Sequence, residues 1–340
     1  MKILIVMDPG ILVPPVGYGG HERLVEMFAL EYCRLGHHVD LLVTKGSKVE
    51  GCFVHGYGKV GFPPTNWQRI KAIVYVWMFL FKNKSSYDLV HNFGRLAFLF
   101  PILNKPVKKI MTYGRKINAT NIESVNRIKS NNVFFTAPSV YCMNTGGVIG
   151  NWSVVYNAID FTKYTLSMVD GDSAPMIFLG RLEYLKGAHE AIEISKKTGF
   201  KLIIAGNISN IPEEIEYFKR QIEPHIDGDL IKYVGPVNDL QKNYYLGLAK
   251  VLLFPARTDE AFGMVMVEAM ACGTPVLAYN HSAMPEIIES GITGFLVEDL
   301  KEMIEVLDQI EFIDRKLCRI HAENRFDVKA VTQEYLKLVK

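Results

Sequence analysis

The chain alternates, twice over, between short apolar runs and helix-length amphipathic segments, and nothing else in it limits the fold so strongly. The first series is KILIVM (2–7), HVDLLVT (38–44), DLVHNF (88–93), KKIMTY (108–113) and NVFFTAP (132–138). The second is PMIFLG (175–180), KLIIAG (201–206), IKYVG (231–235), VLLFPA (251–256), PVLAY (275–279) and GFLV (294–297). Runs that are apolar throughout, rather than at every second residue, belong to strands covered on both faces, which means parallel sheets. Two such series predict an α/β protein of two doubly wound, Rossmann-like domains facing a central cleft. The length of 340 residues leaves room for two separate cores. A polar, irregular stretch at 158–174, closed by Pro175, reads as the linker. The segment 326–340 reads as a helix with Val328, Val331, Tyr335, Leu338 and Val339 on one side.

A composition of 49% hydrophobic and 22% charged residues excludes disordered and low-complexity classes. The net charge of +2 hides an asymmetry. Residues 1–160 hold 18 Lys and Arg against 9 Asp and Glu, whereas 161–340 hold 20 against 27. A basic first half suits phosphates, nucleic acid or an anionic membrane surface, or is simply a solvated face. The five cysteines (Cys33, Cys52, Cys142, Cys272, Cys318) include no C-x-x-C pair. That speaks against a disulfide scaffold or zinc ribbon and for a reducing cytosol. The N-terminus does not read as a signal peptide. The most apolar stretch, Ile70–Phe81, falls short of the ~20 residues of a membrane span. With Trp67 it is either a buried helix of the first domain or, with Arg69, Lys71, Lys82 and Lys84 around it, a membrane-facing one.

In parallel sheets ligands bind beyond the carboxyl ends of the strands, so the residues just after each strand carry the chemistry. The richest such segment is 255–276. After strand 251–256 comes a loop, Arg257–Ala261, then a helix expected from Phe262–Gly263 to Cys272, with Gly273 and Pro275 as stop signals. The N–H groups of Phe262, Gly263 and Met264 would make an anion site at its start. Glu260 before the helix and Glu268 within it either bind hydroxyl groups or serve only the helix dipole and solvation. After strand 175–180, Arg181 and Lys186 suit a diphosphate, or are surface charges. After the first strand, Gly17, Gly19 and Gly20 precede a helix and let backbone amides approach a ligand. Neither G-x-G-x-x-G nor a Walker A pattern is present, which disfavours a dehydrogenase and a P-loop NTPase. His91, ending strand 88–93, is either a cleft-facing proton carrier or a core residue. Asp170-Gly171-Asp172 and Asp227-Gly228-Asp229 resemble metal pairs but sit in expected turns, so no metal site is expected.

Taken together, these motifs resemble the retaining GT-B glycosyltransferases of family 4. The resemblance rests on E-x7-E (Glu260 to Glu268) within EAFGMVMVEAMACGTPV, on G-R-x4-K-G (Gly180 to Gly187) and on Y-G-G-x-E (Tyr18–Glu22). D-L-V-H (Asp88–His91) and Y-N-A-I-D (Tyr156–Asp160) complete it, all in order along nearly the whole chain. It implies an acceptor-side domain, 1–157, to which helix 326–340 crosses back, and a donor-binding domain, 158–325. It implies a nucleoside diphosphate sugar as donor, UDP- or GDP-linked, with Arg181 and Lys186 on the diphosphate, Glu268 on the ribose and Glu260 on the sugar. The amides of Phe262, Gly263 and Met264 would touch sugar and phosphate, as would the Gly19-Gly20 loop. Gly235 and Val237 would lie near the base, and His91 by the reacting sugar. No cofactor and no metal are implied. The acceptor would be a glycan, glycolipid or small molecule, in polysaccharide biosynthesis at the cytoplasmic face of an anionic membrane, and no nucleic-acid partner is expected. A nucleotide-sugar epimerase and a non-catalytic sugar-nucleotide binder are the alternatives. Where the family often has T-x-H-G, this chain has Met111-Thr112-Tyr113-Gly114, so no acceptor residue follows from the resemblance.

Overall fold

The computed structural model describes residues 1–340 apart from 18, 62, 84, 128–131, 148, 149 and 170–172. Tyr18 of the glycine loop, Lys84 and the Asp170–Asp172 triplet therefore lie outside the described residues. The elements follow in the order β1 (Lys2–Val6), α1 (Gly20–Arg34), β2 (His38–Thr44), β3 (Phe53–Tyr57), α2 (Asn66–Lys82), β4 (Leu89–Asn92), β5 (Lys108–Thr112), α3 (Ala119–Arg127), β6 (Val133–Ala137), α4 (Val140–Asn144) and β7 (Trp152–Val154). They continue with β8 (Met176–Leu179), α5 (Ala188–Thr198), β9 (Leu202–Ala205), α6 (Pro212–Gln221), β10 (Ile231–Tyr233), α7 (Asp239–Leu248), β11 (Val251–Phe254), α8 (Met264–Ala271), β12 (Val276–Tyr279), α9 (Met284–Ile287), β13 (Gly294–Val297), α10 (Leu300–Glu305), α11 (Arg315–Phe326) and α12 (Val328–Leu338).

The chain divides into two compact units, Met1–Ala158 with Val328–Lys340, and Ile159–Asp327. The first holds a 7-stranded sheet in the order β3-β2-β1-β4-β5-β6-β7, the second a 6-stranded sheet in the order β10-β9-β8-β11-β12-β13. Every strand pairing is parallel. The central strands are sealed: Ile3, Leu4, Ile5 and Val6 of β1 and Val251, Leu252 and Leu253 of β11 have no exposed surface. Each sheet thus has the two-sided cover that its continuous apolar strands require. In both, strand order reverses beside the first strand of the unit, between β1 and β4 and between β8 and β11, and such a switch point opens a crevice at the carboxyl ends of the strands.

The structure adds two strands to the sequence reading, β3 and β7. Both lie at the edges of the first sheet. β3 carries His55 and Gly56 and is buried only at Tyr57, and β7 is three half-buried residues. An edge strand has one neighbour and an open side, so it needs no apolar run. The stretch read as a linker is instead mostly part of the second unit. Phe161 is buried, and the carbonyls of Phe161 and Tyr164 accept hydrogen bonds from Arg319 at 3.0 and 2.9 Å. Arg315 similarly ties the carbonyl of Ser167 at 2.7 Å to those of Ala249 and Gly247. Two arginines of α11 satisfy a backbone whose own regular structure is one short helical turn, Phe161–Lys163. On α12, Leu336 takes the buried place expected of Leu338, beside Val328, Val331 and Tyr335.

The aromatic segment overturns the buried-helix reading. α2 buries only Ala72, Val76 and Leu80. Trp67, Met78 and Phe81 are 73%, 64% and 66% exposed, and Ile70 and Val74 are exposed with them. The spacing of three or four between successive members of this set puts them on one face, opposite the buried one. Among the described residues no helix is long and apolar enough to cross a membrane.

Candidate active site

The second unit gathers most of the residues singled out from sequence. β8 and β11 are neighbours at the switch point, so the segments that leave them, Gly180–Gly187 and Pro255–Gly263, flank one crevice. Gly187 follows a short helical turn, Tyr184–Lys186, with a φ of 81°. A Cβ there would stand 2.4 Å from the Pro255 carbonyl oxygen. Only glycine allows this close approach, which holds Lys186 against the end of β11. Lys186 Nζ donates to Glu260 Oε1, and both side chains are more than four-fifths buried. Arg181, about half exposed, reaches Glu183 Oε1 at 2.5 Å.

The loop that carries Glu260 is held from β12. The Glu260 amide donates to Ser282 Oγ at 3.3 Å, and Ser282 Oγ–H donates to the Thr258 carbonyl at 3.2 Å. Ser282 is the one non-glycine residue with positive φ, 53°, among the described residues. A left-handed serine costs energy, so local structure keeps it there. Arg257, just before Glu260, is clamped by Glu190 at 3.0 Å and lies 4.4 Å from the Tyr279 ring, while the Tyr279 hydroxyl donates to Glu190.

α8 begins at Met264, one to two residues later than expected, and ends at Ala271. Phe262 falls outside it: its ring is buried edge-to-face on Phe326, 5.6 Å away. Gly263 is the N-cap, with a φ of 84°. Glu268, in the body of α8, is not a solvated helix residue, being only 12% exposed. Its Oε1 accepts from Lys242 Nζ of α7 at 2.5 Å and from the Tyr164 hydroxyl at 3.0 Å. Burial and the carboxylate together push the Tyr164 phenol well up, so it stays protonated and donates. Gly235 and Val237 lie in the loop between β10 and α7, where the Gly235 carbonyl accepts from the Gly206 amide at 2.9 Å. Asp227 spends its carboxylate on the amides of Asp229 and Ile231, at 2.9 and 3.0 Å, which is the turn chemistry expected of Asp-Gly.

Sequence reasoning missed Tyr164, Lys242, Ser282, Glu190 and Tyr279. Each lies far along the chain from the group it serves. Ser282 had no sequence signal at all. Lys242 could have been marked only as a cation one turn into a capped helix.

Gly19, Gly20 and His91 belong to the first unit. Gly19 caps α1 with a φ of 153°. A Cβ at Gly20 would meet nothing within 4 Å, so packing does not demand glycine there. His91 does not open beyond its strand. It has no exposed surface and lies between the Tyr32 hydroxyl, 3.1 Å from Nδ1, and Thr112 Oγ1, 2.9 Å from Nε2. The rings of Phe93 and Tyr335 stand 4.2 and 4.6 Å away. Enclosure lowers its pKa to about 3, so it is a neutral core residue with both nitrogens engaged.

A wide depression of about 570 Å³ on the second unit is lined by Lys197, Arg257 and residues 299–301, 304 and 305, and by neither Glu260 nor Glu268. The first unit holds a cavity of about 400 Å³ at the carboxyl ends of β1, β3 and β4.

The chain resembles known proteins in sequence and in fold. Residues 168–324, nearly all of the second unit, match the family of glycosyl transferases group 1. The chain is 29% identical over 290 residues to an uncharacterized 41.2 kDa protein in the cps region of Klebsiella pneumoniae, across 77% of this chain and 74% of that one. It is 28% identical over 203 residues to the Staphylococcus aureus capsular polysaccharide biosynthesis glycosyltransferase CapM, about half of each chain. Among solved structures, Anabaena HepE, determined in complex with UDP and glucose, superposes with a TM-score of 0.73 at 18% identity over 100% of this chain and 99% of that one. Residues 168–324 thus resemble the group 1 glycosyltransferases, and the chain is an enzyme with the fold of the GT-B glycosyltransferases.

Proposed function

We propose that the enzyme is a retaining, metal-independent glycosyltransferase that takes a sugar from a UDP- or GDP-sugar and passes it to a glycan or lipid-linked acceptor in surface polysaccharide synthesis. The observation that carries this reading is the pair of enclosed glutamates, Glu260 and Glu268, each held by a lysine beside the switch point of the second sheet. A carboxylate within reach of a cation can accept sugar hydroxyls on one side, while the cation takes phosphate on the other. On donor binding, Lys186 and Arg181 exchange Glu260 and Glu183 for the diphosphate. Glu260 then accepts donor-sugar hydroxyls and Glu268 the ribose hydroxyls. Gly235 and Val237 border the base, and the Gly263 and Met264 amides approach sugar and phosphate.

In the reaction the bond from the anomeric carbon to the diphosphate oxygen breaks, and its electron pair leaves with the diphosphate. The acceptor oxygen attacks from the same face, and its proton passes to the departing phosphate oxygen. The residues that lower the barrier are the cations, which stabilise charge developing on the leaving group. His91, sealed and neutral, takes no proton in this scheme. The glycan and lipid chemistry of the acceptor is supported by the capsular relative and by the exposed apolar face of α2 beside Lys71 and Lys82, which suits peripheral contact with an anionic inner membrane face.

The test is thermal unfolding with UDP-, GDP-, ADP-, CMP- and dTDP-sugars in EDTA. A ligand at ~100 times its Kd adds ~2.7 kcal/mol. Stabilisation by one nucleotide class in EDTA, followed by acceptor-dependent release of the nucleotide with the anomeric configuration kept, is the expected result. An inverted product refutes retention, stabilisation only with added divalent metal refutes metal independence, and no stabilisation by any of the five refutes the donor assignment.

A further inference from the structure

One ionic cluster joins three segments at the carboxyl ends of β8, β11 and β12. Glu190, on the first turn of α5, is buried. Its carboxylate accepts from Arg257 Nε at 3.0 Å, from Arg257 Nη2 at 3.4 Å and from the Tyr279 hydroxyl. Burial, with the carboxylate beside it, pushes the Tyr279 phenol up, so it stays protonated and donates. Each member is also tied to a loop of the site. The Arg257 amide donates to the Leu185 carbonyl at 2.8 Å, directly before Lys186. The Glu190 amide donates to the Gly187 carbonyl at 3.0 Å, directly after it. Arg257 opens the loop that carries Glu260. Tyr279 ends β12, just ahead of the Ser282 that holds the Glu260 amide.

We propose that Glu190 and Arg257 are positioning residues, whose ion pair with Tyr279 holds Lys186 and Glu260 in register while a sugar nucleotide separates them. The inference rests on the donor reading above and assigns it two residues outside the lysine–glutamate pairs. Lys186 and Glu260 lie 74 residues apart and leave different strands. Their direct contact opens when a diphosphate takes the lysine and sugar hydroxyls take the carboxylate, so it cannot align the two loops in the bound state. The Arg257–Glu190 contact can, because the Glu190 side chain is only 10% exposed and no ligand competes for it. A carboxylate gripped by two guanidinium nitrogens fixes direction as well as distance. A buried ion pair adds little stability over apolar side chains of the same volume, so what it contributes here is geometry. Displacement of a reacting group by about 1 Å is enough to cost a hundredfold in rate.

The experiment compares the full-length wild type with Glu190→Gln and Arg257→Met by hydrogen–deuterium exchange, then by calorimetric titration with UDP-glucose and GDP-mannose. In both variants the amides of 184–187 and 257–263 should exchange about tenfold faster, while β9 and β10 exchange as in the wild type. The sugar nucleotide that binds the wild type should bind both variants about tenfold more weakly. In a Glu260→Gln/Lys186→Met background the further loss should shrink to about twofold or less, because a group that acts through those two side chains has nothing left to position. Tyr279→Phe, which removes one hydroxyl, should show the same pattern at a few-fold and serves if either variant fails to fold. The proposal falls if exchange is unchanged or rises evenly across the second unit, which assigns the cluster to the fold alone. It falls if Arg257→Met weakens binding and Glu190→Gln does not, which makes Arg257 a ligand contact, or if the loss is undiminished in the double-variant background. Failure of the wild type to bind either nucleotide breaks the donor reading alone, because the exchange comparison still decides whether the cluster holds the two loops.

Discussion

The two switch-point regions handle charge in opposite ways. In the second unit the cations at the site are already matched: Lys186 with Glu260, Lys242 with Glu268, Arg181 with Glu183 and Arg257 with Glu190. In the first, Asp8 and Arg95 pair, while Lys59 and Lys71 at the same cavity have no such partner among the described residues. A matched site is preorganised, and a ligand enters by exchanging partners, so binding hydroxyls and binding phosphate are one coupled event. An unmatched site holds a standing field that attracts an anion and is screened by salt. The difference teaches that net charge along the sequence, basic then acidic, is a poor guide to where anions bind: the acidic half holds the diphosphate candidates, already paired.

Breaking the pairing outright gives the largest effect. Glu260→Gln removes the charge that holds Lys186 and the acceptor for sugar hydroxyls, and should lower kcat/KM by about a hundredfold or more. Lys186→Met should do the same. If the pair works as one unit, the double variant will be scarcely worse than either single one, and a steady-state double-mutant cycle measures this. Additive losses would mean that the two side chains act separately, and a Glu260→Gln enzyme keeping a tenth of the wild-type rate would remove Glu260 from the site.

The next effect belongs to the first unit's core. The buried imidazole of His91 titrates near 3 when folded and near 6.5 when unfolded. Its contribution is thus present above pH 6.5, and it is lost as the pH falls toward 3, because the unfolded chain takes up the proton first. Between pH 7.5 and 4.5 this amounts to about 2–3 kcal/mol. His91→Leu should be less stable at pH 7.5, by about 1–3 kcal/mol, because the Tyr32 and Thr112 hydroxyls lose a partner. It should also lose correspondingly less stability on acidification, as read from urea midpoints at the two pH values. A variant with unchanged acid sensitivity and a collapsed kcat would return His91 to the chemistry.

How much of this was legible follows from range. Strands with a continuous apolar run declare themselves by local composition, so β1, β2, β4 to β6 and β8 to β13 were readable, the edges β10 and β13 of the second sheet among them. The edges β3 and β7 were not, because an edge owes its pairing to one neighbour and its sequence to solvent. α2 misled because apolar content alone does not say which of two faces is covered. In the site, the E-x7-E spacing exposed both glutamates, but what holds them is long-range: Tyr164 is 104 residues from Glu268, and Ser282 is 22 from Glu260. His91 stood at a strand end like a functional residue, and only the packing of α1 and α12 over it, through Phe28, Tyr32 and Tyr335, makes it core.

Tyr164 tests the matched site more gently. Tyr164→Phe keeps the ring and leaves Glu268 to Lys242 alone. Loss of one hydrogen bond to a charged group should weaken nucleotide binding about five- to tenfold with little change in kcat. Titration with the nucleotide that stabilises the wild type measures this, and an equal fall in kcat would place Glu268 nearer the reacting sugar than the ribose.

The smallest expected effect isolates how the Glu260 loop is held. Ser282 combines a left-handed backbone with a hydroxyl that bridges the Glu260 amide and the Thr258 carbonyl. Ser282→Ala removes the bridge and keeps the backbone strain, whereas Ser282→Gly removes both. If the bridge positions Glu260, both variants should lose a few-fold in kcat, while glycine alone regains about 0.5–1 kcal/mol of stability relative to alanine. Rates that follow stability rather than the hydroxyl would assign Ser282 to the fold. Matching rates with diverging Tm values would show that the second unit tolerates a strained serine for the sake of one glutamate.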